Sequence, residues 1–190
     1  DYTIVHKCPP PKPQLTRIWA MAHRVDRLDQ AIVSLLLEDG RMSCAEIARC
    51  VGGISERVVR KRVARLIRAG VIRVSAVVNP KAVGFTVAAD VLVEVEPGRV
   101  LEVARRMIEL EQIGYVACST GDRDLSLQVY ARDNDELYRF VTEVIGNVPG
   151  VRKTTTILVP WILKDVYHWR IPAAVCVDKD ESPSPHSEAG

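Results

Sequence analysis

SERVVRKRVARLIRAG, residues Ser55–Gly70, sets six basic side chains against one acid on a stretch with an apolar stripe at helical spacing. Val59, Val63, Leu66 and Ile67 recur at steps of four, three and one, so a helix over this stretch buries one face. Arg57, Arg60, Lys61, Arg65 and Arg68 are left to point elsewhere. A basic helix taken alone is most simply a solvated surface. What flanks this one favours a helix that lies on DNA.

Upstream, VDRLDQAIVSLLLEDGR carries Leu28, Ile32, Leu35 and Leu36 at the helical period, and Asp39-Gly40 supplies a stop, so a first helix ends near Glu38. Ser43-Cys44-Ala45-Glu46 has the form of a capping box and opens a second helix with Ile47, Ala48 and Val51 inward. Gly52-Gly53 breaks that helix, and Ser55 is a suitable N-cap for the third. Helix, tight turn, helix is the helix-turn-helix arrangement. After Gly70, VIRVSAVVN alternates as a β segment with Arg73 and Ser75 on one side, which predicts a small wing.

A helix-turn-helix places the N-terminal part of its second helix in the major groove, which nominates Ser55, Glu56, Arg57, Arg60 and Lys61 for groove contacts. Arg41, Arg65 and Arg73 are better placed for phosphates. Arginine bonds bidentately to guanine or to phosphate, so the sequence leaves base readers and backbone contacts undivided. Arg62 lies between the core positions Val59, Val63 and Leu66, and is open to either an ion pair with a helix-one acid or a DNA contact.

The second half has another rhythm. VAADVLVEVE alternates as a strand, Pro97-Gly98 turns, and Val100, Val103, Ala104, Met107 and Ile108 mark a helix. The strands IGYVACST and LSLQVYA follow, joined at Gly121-Asp122-Arg123-Asp124. A helix with Leu137, Phe140, Val141, Val144, Ile145 and Val148 then leads through Pro149-Gly150 into the strand VRKTTTILV. The order βαββαβ predicts a four-stranded antiparallel sheet with both helices on one face, the ferredoxin-like arrangement. Its other face needs a cover, and a second copy of the chain supplies one economically. The fold class is therefore α+β, a winged helix-turn-helix followed by a ferredoxin-like domain. The expected divisions are an arm over residues 1–23 with a short helix from Thr16 to His23, a DNA-binding domain over 24–81, a ferredoxin-like oligomerisation domain over 82–160, for which the family resemblance given below implies effector sensing, and an extension over 161–190.

Charge agrees with this division. The whole chain, 190 residues with 26 Lys and Arg against 24 Asp and Glu, is nearly balanced. Residues 24–81 nevertheless hold twelve basic and six acidic side chains, a net of +6, while residues 82–160 hold eight and twelve, a net of −4. A basic domain joined to an acidic one suits a first half that meets a polyanion. Binding to a membrane surface is disfavoured, because the basic helix lacks the aromatic and Leu face of an interfacial anchor. No run reaches the 18 or so apolar residues of a membrane span, and a cytoplasmic location is expected. Cys8, Cys44, Cys50, Cys118 and Cys176 form no CxxC pair, so neither a zinc site nor a disulfide framework is suggested and most should be small core residues. No cofactor or metal is expected.

Taken together, VDRLDQAIVSLLLEDGR, the capped second helix, GISERVVRKRVARLIRAGVI and a βαββαβ domain with a GDRDL turn resemble the Lrp/AsnC, or feast/famine, transcription regulators over roughly residues 25–160. The resemblance implies a homodimer, extending to tetramers or octamers, that binds double-stranded operator DNA and is often modulated by an amino acid. It places the effector around Gly121, Asp122 and Asp124, with Thr154 and Thr156 on the facing last strand. A carboxylate suits an α-ammonium group, and turn amides or hydroxyls suit a carboxylate; an Asp in such a turn also commonly caps its own backbone. Tyr115 and Arg123 are further candidates to line the site. One departure is visible: the Gly52-Gly53 turn is one residue longer than is usual in the family.

Two other functions fit parts of this pattern. An architectural DNA-binding protein without a small effector would use the same basic helix with little sequence preference. Some haem-pathway decarboxylases resemble the same two-domain arrangement, but His6, His23, His168 and His186 all lie outside residues 82–160, so that domain offers no imidazole for proton transfer. No Ser/His/Asp order, HExxH, P-loop or GxGxxG is present. The extension WILKDVYHWR is expected to add a strand or helix packed on the dimer rather than a binding platform, with Trp161, Tyr167 and Trp169 available to cover a sheet edge, and the polar DKDESPSPHSEAG to be disordered.

Overall fold

The computed structural model of the chain describes residues 23–177. They divide into two compact units: one runs to Ser75 and resumes at Asp165, and the other spans Ala76–Lys164. The expected N-terminal arm with its short helix and the polar C-terminal end fall outside the described residues.

The first unit opens with the two-residue strand β1 (Val25–Asp26) and helix α1 (Arg27–Glu38). Asp26 and Asp29 form a capping box at its start: Asp26 Oδ1 accepts from the Asp29 amide at 2.8 Å and Asp29 Oδ2 from the Asp26 amide at 3.3 Å. The expected box at Ser43 and Glu46 starts α2 (Cys44–Val51), with the Ser43 amide donating to Glu46 Oε2 at 2.9 Å. Gly52 and Gly53 both take positive φ, 74° and 65°, which a side chain would strain, so the pair of glycines follows from the turn itself. Ser55 then caps α3 (Glu56–Arg68), accepting from the Val58 amide at 3.4 Å.

Ile32 of α1, Ile47 and Ala48 of α2 and Val59 of α3 make the centre of this unit, with Leu28, Leu35, Leu36, Met42, Val51, Ile54 and Val63 around them. Each such aliphatic side chain, once buried, contributes about 1.5–3 kcal/mol. Leu66 is fully buried, but Ile67 is 46% exposed, against the expectation that it shares the stripe. At 3.6 residues per turn it lies about 80° round the helix from Val59, whereas Leu66 lies within about 20°.

The predicted wing strand does not form. Residues 72–79 belong to no strand, and Val74, Val77 and Val78 stay exposed. Apolar alternation marks an extended chain that is able to pair, and pairing further requires a neighbouring strand. The segment ends where Asn79 caps a 3₁₀ turn over Pro80–Val83.

The second unit has the predicted order, β2 (Val87–Val95), α4 (Val100–Ile108), β3 (Ile113–Cys118), β4 (Leu125–Ala131), α5 (Asn134–Arg139, prolonged by a π-helical turn over Phe140–Ile145) and β5 (Val151–Leu158). All neighbours are antiparallel, in the order β3-β4-β2-β5. Ala89, Val91, Val93 and Val95 of β2 alternate inward with Leu125, Leu127, Val129 and Ala131 of β4, against Val103 and Met107 of α4 and Leu137, Phe140, Val141 and Ile145 of the last helix. On the opposite face Asp90, Leu92 and Glu94 lie beside Gln128 and Ser126 on one flank and Ile157, Thr155 and Lys153 on the other. Among the described residues of this unit no helix covers that face.

After β5 the chain returns to the first unit. Two 3₁₀ turns, Val166–His168 and Ala173–Val175, precede β6 (Cys176–Val177), which pairs parallel with β1. Trp161, Tyr167 and Trp169 are all more than half exposed within the single chain. None of the four described cysteines is fully buried either, and Cys50 and Cys118 are exposed. Cys50 sits on the outer side of α2, and Cys118 at the end of an edge strand.

Candidate DNA-binding surface and effector region

Helix α3 turns its faces to different tasks. Val59 and Leu66 go inward, and Arg57, Arg60, Lys61 and Arg68 are exposed. Arg57, Lys61 and Arg68, at spacings of four and seven, fall close to one line along the outer side. At the helix start Arg60 is bonded to Glu56 one turn earlier, so these two candidates for groove contact hold each other. Arg41 is almost wholly solvated, with Asp39 Oδ1 3.9 Å from its Nε and bonded to its backbone amide. Arg73 is exposed.

The inward-leaning arginines behave differently. Arg62 Nη1 donates to Asp26 Oδ2 at 2.7 Å and to Asp29 Oδ1 at 2.8 Å, the ion pair with helix-one acids that was one of its two expected roles. Arg65 donates through Nη2 to the other oxygen of Asp29. Expected on the phosphate backbone, its guanidinium is instead engaged by a fully buried carboxylate, although 42% of the side chain's surface stays exposed. Sequence reasoning allows Arg62 a helix-one acid without naming Asp29, and gives Arg65 no such partner. A signal for it is nevertheless present, as two acids three apart, Asp26 and Asp29, matched by two arginines three apart, Arg62 and Arg65.

Burial opposes ionisation of Asp26, but the Asp29 amide and the Arg62 guanidinium outweigh it and hold the carboxyl below its usual range. Arg62 feels the mirror effect: burial pulls down, while its bonds to Asp29 and Asp26 push it above its usual value. The charged cluster fixes α3 to the start of α1 from behind.

In the second unit the turn before β4 is held by the Ser119 amide on Asp124 O at 2.9 Å, and Gly121 has a φ of 128° that favours glycine. Asp124 is committed to the backbone, with Oδ2 accepting from the Val95 amide at 2.8 Å. Arg123 pairs with Glu94, to which Lys153 also comes within 3.8 Å. Tyr115 is half exposed on the uncovered sheet face. Asp122 is exposed at the tip.

Thr154 and Thr156 are not brought to this turn. They pair with Val93 and Val91 on the side of β2 away from β4, and point to the helices. There they line a groove of about 350 Å³ with Asn134, Leu137, Tyr138, Val141, Thr142 and Leu158. The groove has no charged side chain to meet an ammonium or carboxylate. Among the described residues no group of His, Cys, Asp and Glu is arranged to hold a metal ion, and no helix is long and apolar enough to cross a membrane.

A helix-turn-helix with an outward basic row, followed in one chain by a βαββαβ domain, has the make-up of a DNA-binding regulator with a second domain. Residues 25–67 match the AsnC-type helix-turn-helix domain and residues 88–166 the Lrp/AsnC ligand binding domain. The chain is 39% identical over 142 residues to an uncharacterized HTH-type transcriptional regulator of Pyrococcus abyssi, covering 74% of this chain and 89% of that one. It belongs to the Lrp/AsnC family of transcriptional regulators. Among solved structures, Escherichia coli AsnC superimposes with a TM-score of 0.70 at 22% identity, over 76% of this chain and 99% of that one. A Neisseria meningitidis transcriptional regulator in complex with L-Met does so with a TM-score of 0.69 at 23% identity, over 74% and 93%.

Proposed function

We propose that the chain acts as a homodimer, or a higher assembly of dimers, that presents two copies of α3 to successive major grooves of a palindromic operator, about 34 Å apart or a multiple of it. The observation that carries this reading is the division of labour on α3. Arg62 and Arg65 are spent on Asp29, while Arg57 and Lys61 in the first two turns stand free of any such anchor and face outward. Arg57 and Lys61 are the base readers, Ser55 fixes the helix start, and Arg41 and Arg73 meet phosphates. The sheet face bearing Leu92, Tyr115 and Ile157 supplies the dimer contact.

The regulation proposed is by an amino acid, held at the Gly121–Asp124 turn with Asp122 as partner of the ammonium group. In support stands the L-Met complex of the Neisseria protein. Asp124 serves the turn itself, and Thr154 and Thr156 line a separate apolar groove. Selecting bound genomic fragments at one stated salt concentration tests the reading. A shared palindromic motif is expected; uniform recovery would point to an architectural protein, and no recovery to a function off DNA.

A further inference from the structure

The returning C-terminal segment is a part of the first unit that the DNA reading leaves without a task. Arg170 Nη2 meets Glu38 Oε1 at 3.2 Å near the end of α1, and Ile171 O accepts from Gln30 Nε2 at 2.8 Å at the close of its first turn. At the beginning of the helix Val25 and Asp26 pair with Cys176 and Val177. The segment thus spans the full length of α1, about 18 Å at 1.5 Å per residue, and finishes on the residue that caps it.

Asp26 stands at the junction. Its backbone lies in the ladder with Val177, and its carboxylate caps α1 and grips Arg62 of α3. The ties that seat the segment are individually weak. Arg170 and Glu38 are each more than half exposed, and a two-residue ladder is marginal by itself. A strap held this way exchanges between seated and unseated states more readily than the helices it lies on. Residues 167–177 lie beyond both stretches that match the family models.

We propose that the strap Asp165–Val177 is a positioning element for the recognition helix: seated on β1 and α1, it holds Asp26 where Asp26 grips Arg62, and so sets α3 in its DNA-binding pose. Its upstream end is continuous in the chain with β5 of the ligand-binding domain, which gives that domain a second covalent link to the DNA-binding unit besides the one at Ser75-Ala76. The inference rests on the DNA reading for its consequence, and its structural part is measurable without DNA.

The test compares the full chain, a chain ending at Lys164, and the full-length double variant Gln30→Ala, Arg170→Ala, at a temperature where circular dichroism shows all three fully folded. Amide hydrogen exchange over residues 56–68 should accelerate in both variants. Affinity for the selected operator should fall about tenfold in the truncated chain, within the usual range of couplings between sites, and less in the double variant. The salt dependence should be unchanged, since every phosphate contact is retained. A strap that only adds stability would lower the melting temperature and leave exchange in α3 and affinity as they were, which would overturn the proposal. So would tighter binding by the truncated chain, or a salt slope reduced by about one, which would mark Arg170 as a phosphate contact. If the full chain bound no DNA, the DNA reading would fall and the exchange measurement would decide the strap alone.

Discussion

Arg62 on the recognition helix and Asp29 at the start of the first helix, thirty-three residues apart, are joined at 2.8 Å, with Asp29 wholly buried and Arg62 four-fifths buried. A buried charge cluster of this kind makes α3 depend on α1 for its position. Removing one partner strands the other, and the usual cost of that is about 3–5 kcal/mol. Arg62→Met is therefore expected to lower the melting temperature of the first unit by more than about 10 °C. Calorimetry checks it; a drop below about 3 °C would show that Arg65 alone satisfies Asp29. Arg62→Lys should recover only part, because an ammonium lacks the fork that reaches Asp26 and Asp29 together.

Much of this is written in local sequence. The caps at Ser43 and Ser55, the stop after Glu38 and the βαββαβ order are set by periodicity and turn chemistry within a few residues, and each appears in the structure. What escapes a local reading depends on distant partners. The alternation at residues 72–78 describes a strand without saying what it pairs with. The family resemblance sets Thr154 and Thr156 against the turn, whereas the strand order puts β2 between them. Asp29 reads as an ordinary first-turn acid until α3 is laid across it. The strap is invisible in the sequence because its contacts with α1 span more than 130 residues, as with Gln30 and Ile171.

Arg57→Ala and Lys61→Ala should each weaken operator binding by about five- to 150-fold, the equivalent of about 1–3 kcal/mol for a base contact. Their preference for operator over random DNA should shrink as well. Gel shifts at fixed salt measure both, with size-exclusion chromatography confirming an unchanged assembly. An equal fall on operator and random DNA would reassign the side chain to the phosphate backbone.

Arg41→Ala and Arg73→Ala should lower affinity on all sequences alike and reduce the slope of log affinity against log salt by about 0.9 for every phosphate that the variant no longer neutralises. Arg65→Ala should leave that slope in place, because its guanidinium is on Asp29. Titrations at three salt concentrations separate the two behaviours. A slope reduced by Arg65→Ala would return that residue to the DNA interface.

If Asp122 holds an amino acid's ammonium group, a panel of free amino acids should contain one that raises the melting temperature of the wild-type chain and fails to raise that of Asp122→Ala. Thr156→Val should respond as the wild type does, since Thr156 lines the separate groove beside α5. Equal shifts in wild type and Asp122→Ala would move the ligand elsewhere. A response abolished in Thr156→Val would place it in the groove.

Asp26 also predicts a pH dependence with a definite sign. Its carboxyl titrates below its ordinary value in the folded chain, where burial is outweighed by the Asp29 amide and Arg62. A group with a depressed folded value contributes its full stabilisation above the unfolded value, near pH 4, and loses it as the pH falls through the folded value. Asp26→Asn keeps an acceptor able to cap α1 but removes the charge. The difference in unfolding free energy between wild type and Asp26→Asn should therefore be flat from pH 7 to about 5 and shrink steadily below about 4. Glu46, Glu102 and Glu136 are likewise depressed, by bonds to Ser43, Arg99 and Arg132 respectively, but they titrate in both proteins and cancel in the difference. Urea unfolding of the first unit, followed at about five pH values, measures it. A difference that stayed constant down to about pH 3, or grew on acidification, would show that Asp26 and Arg62 do not form the ion pair that seats the recognition helix.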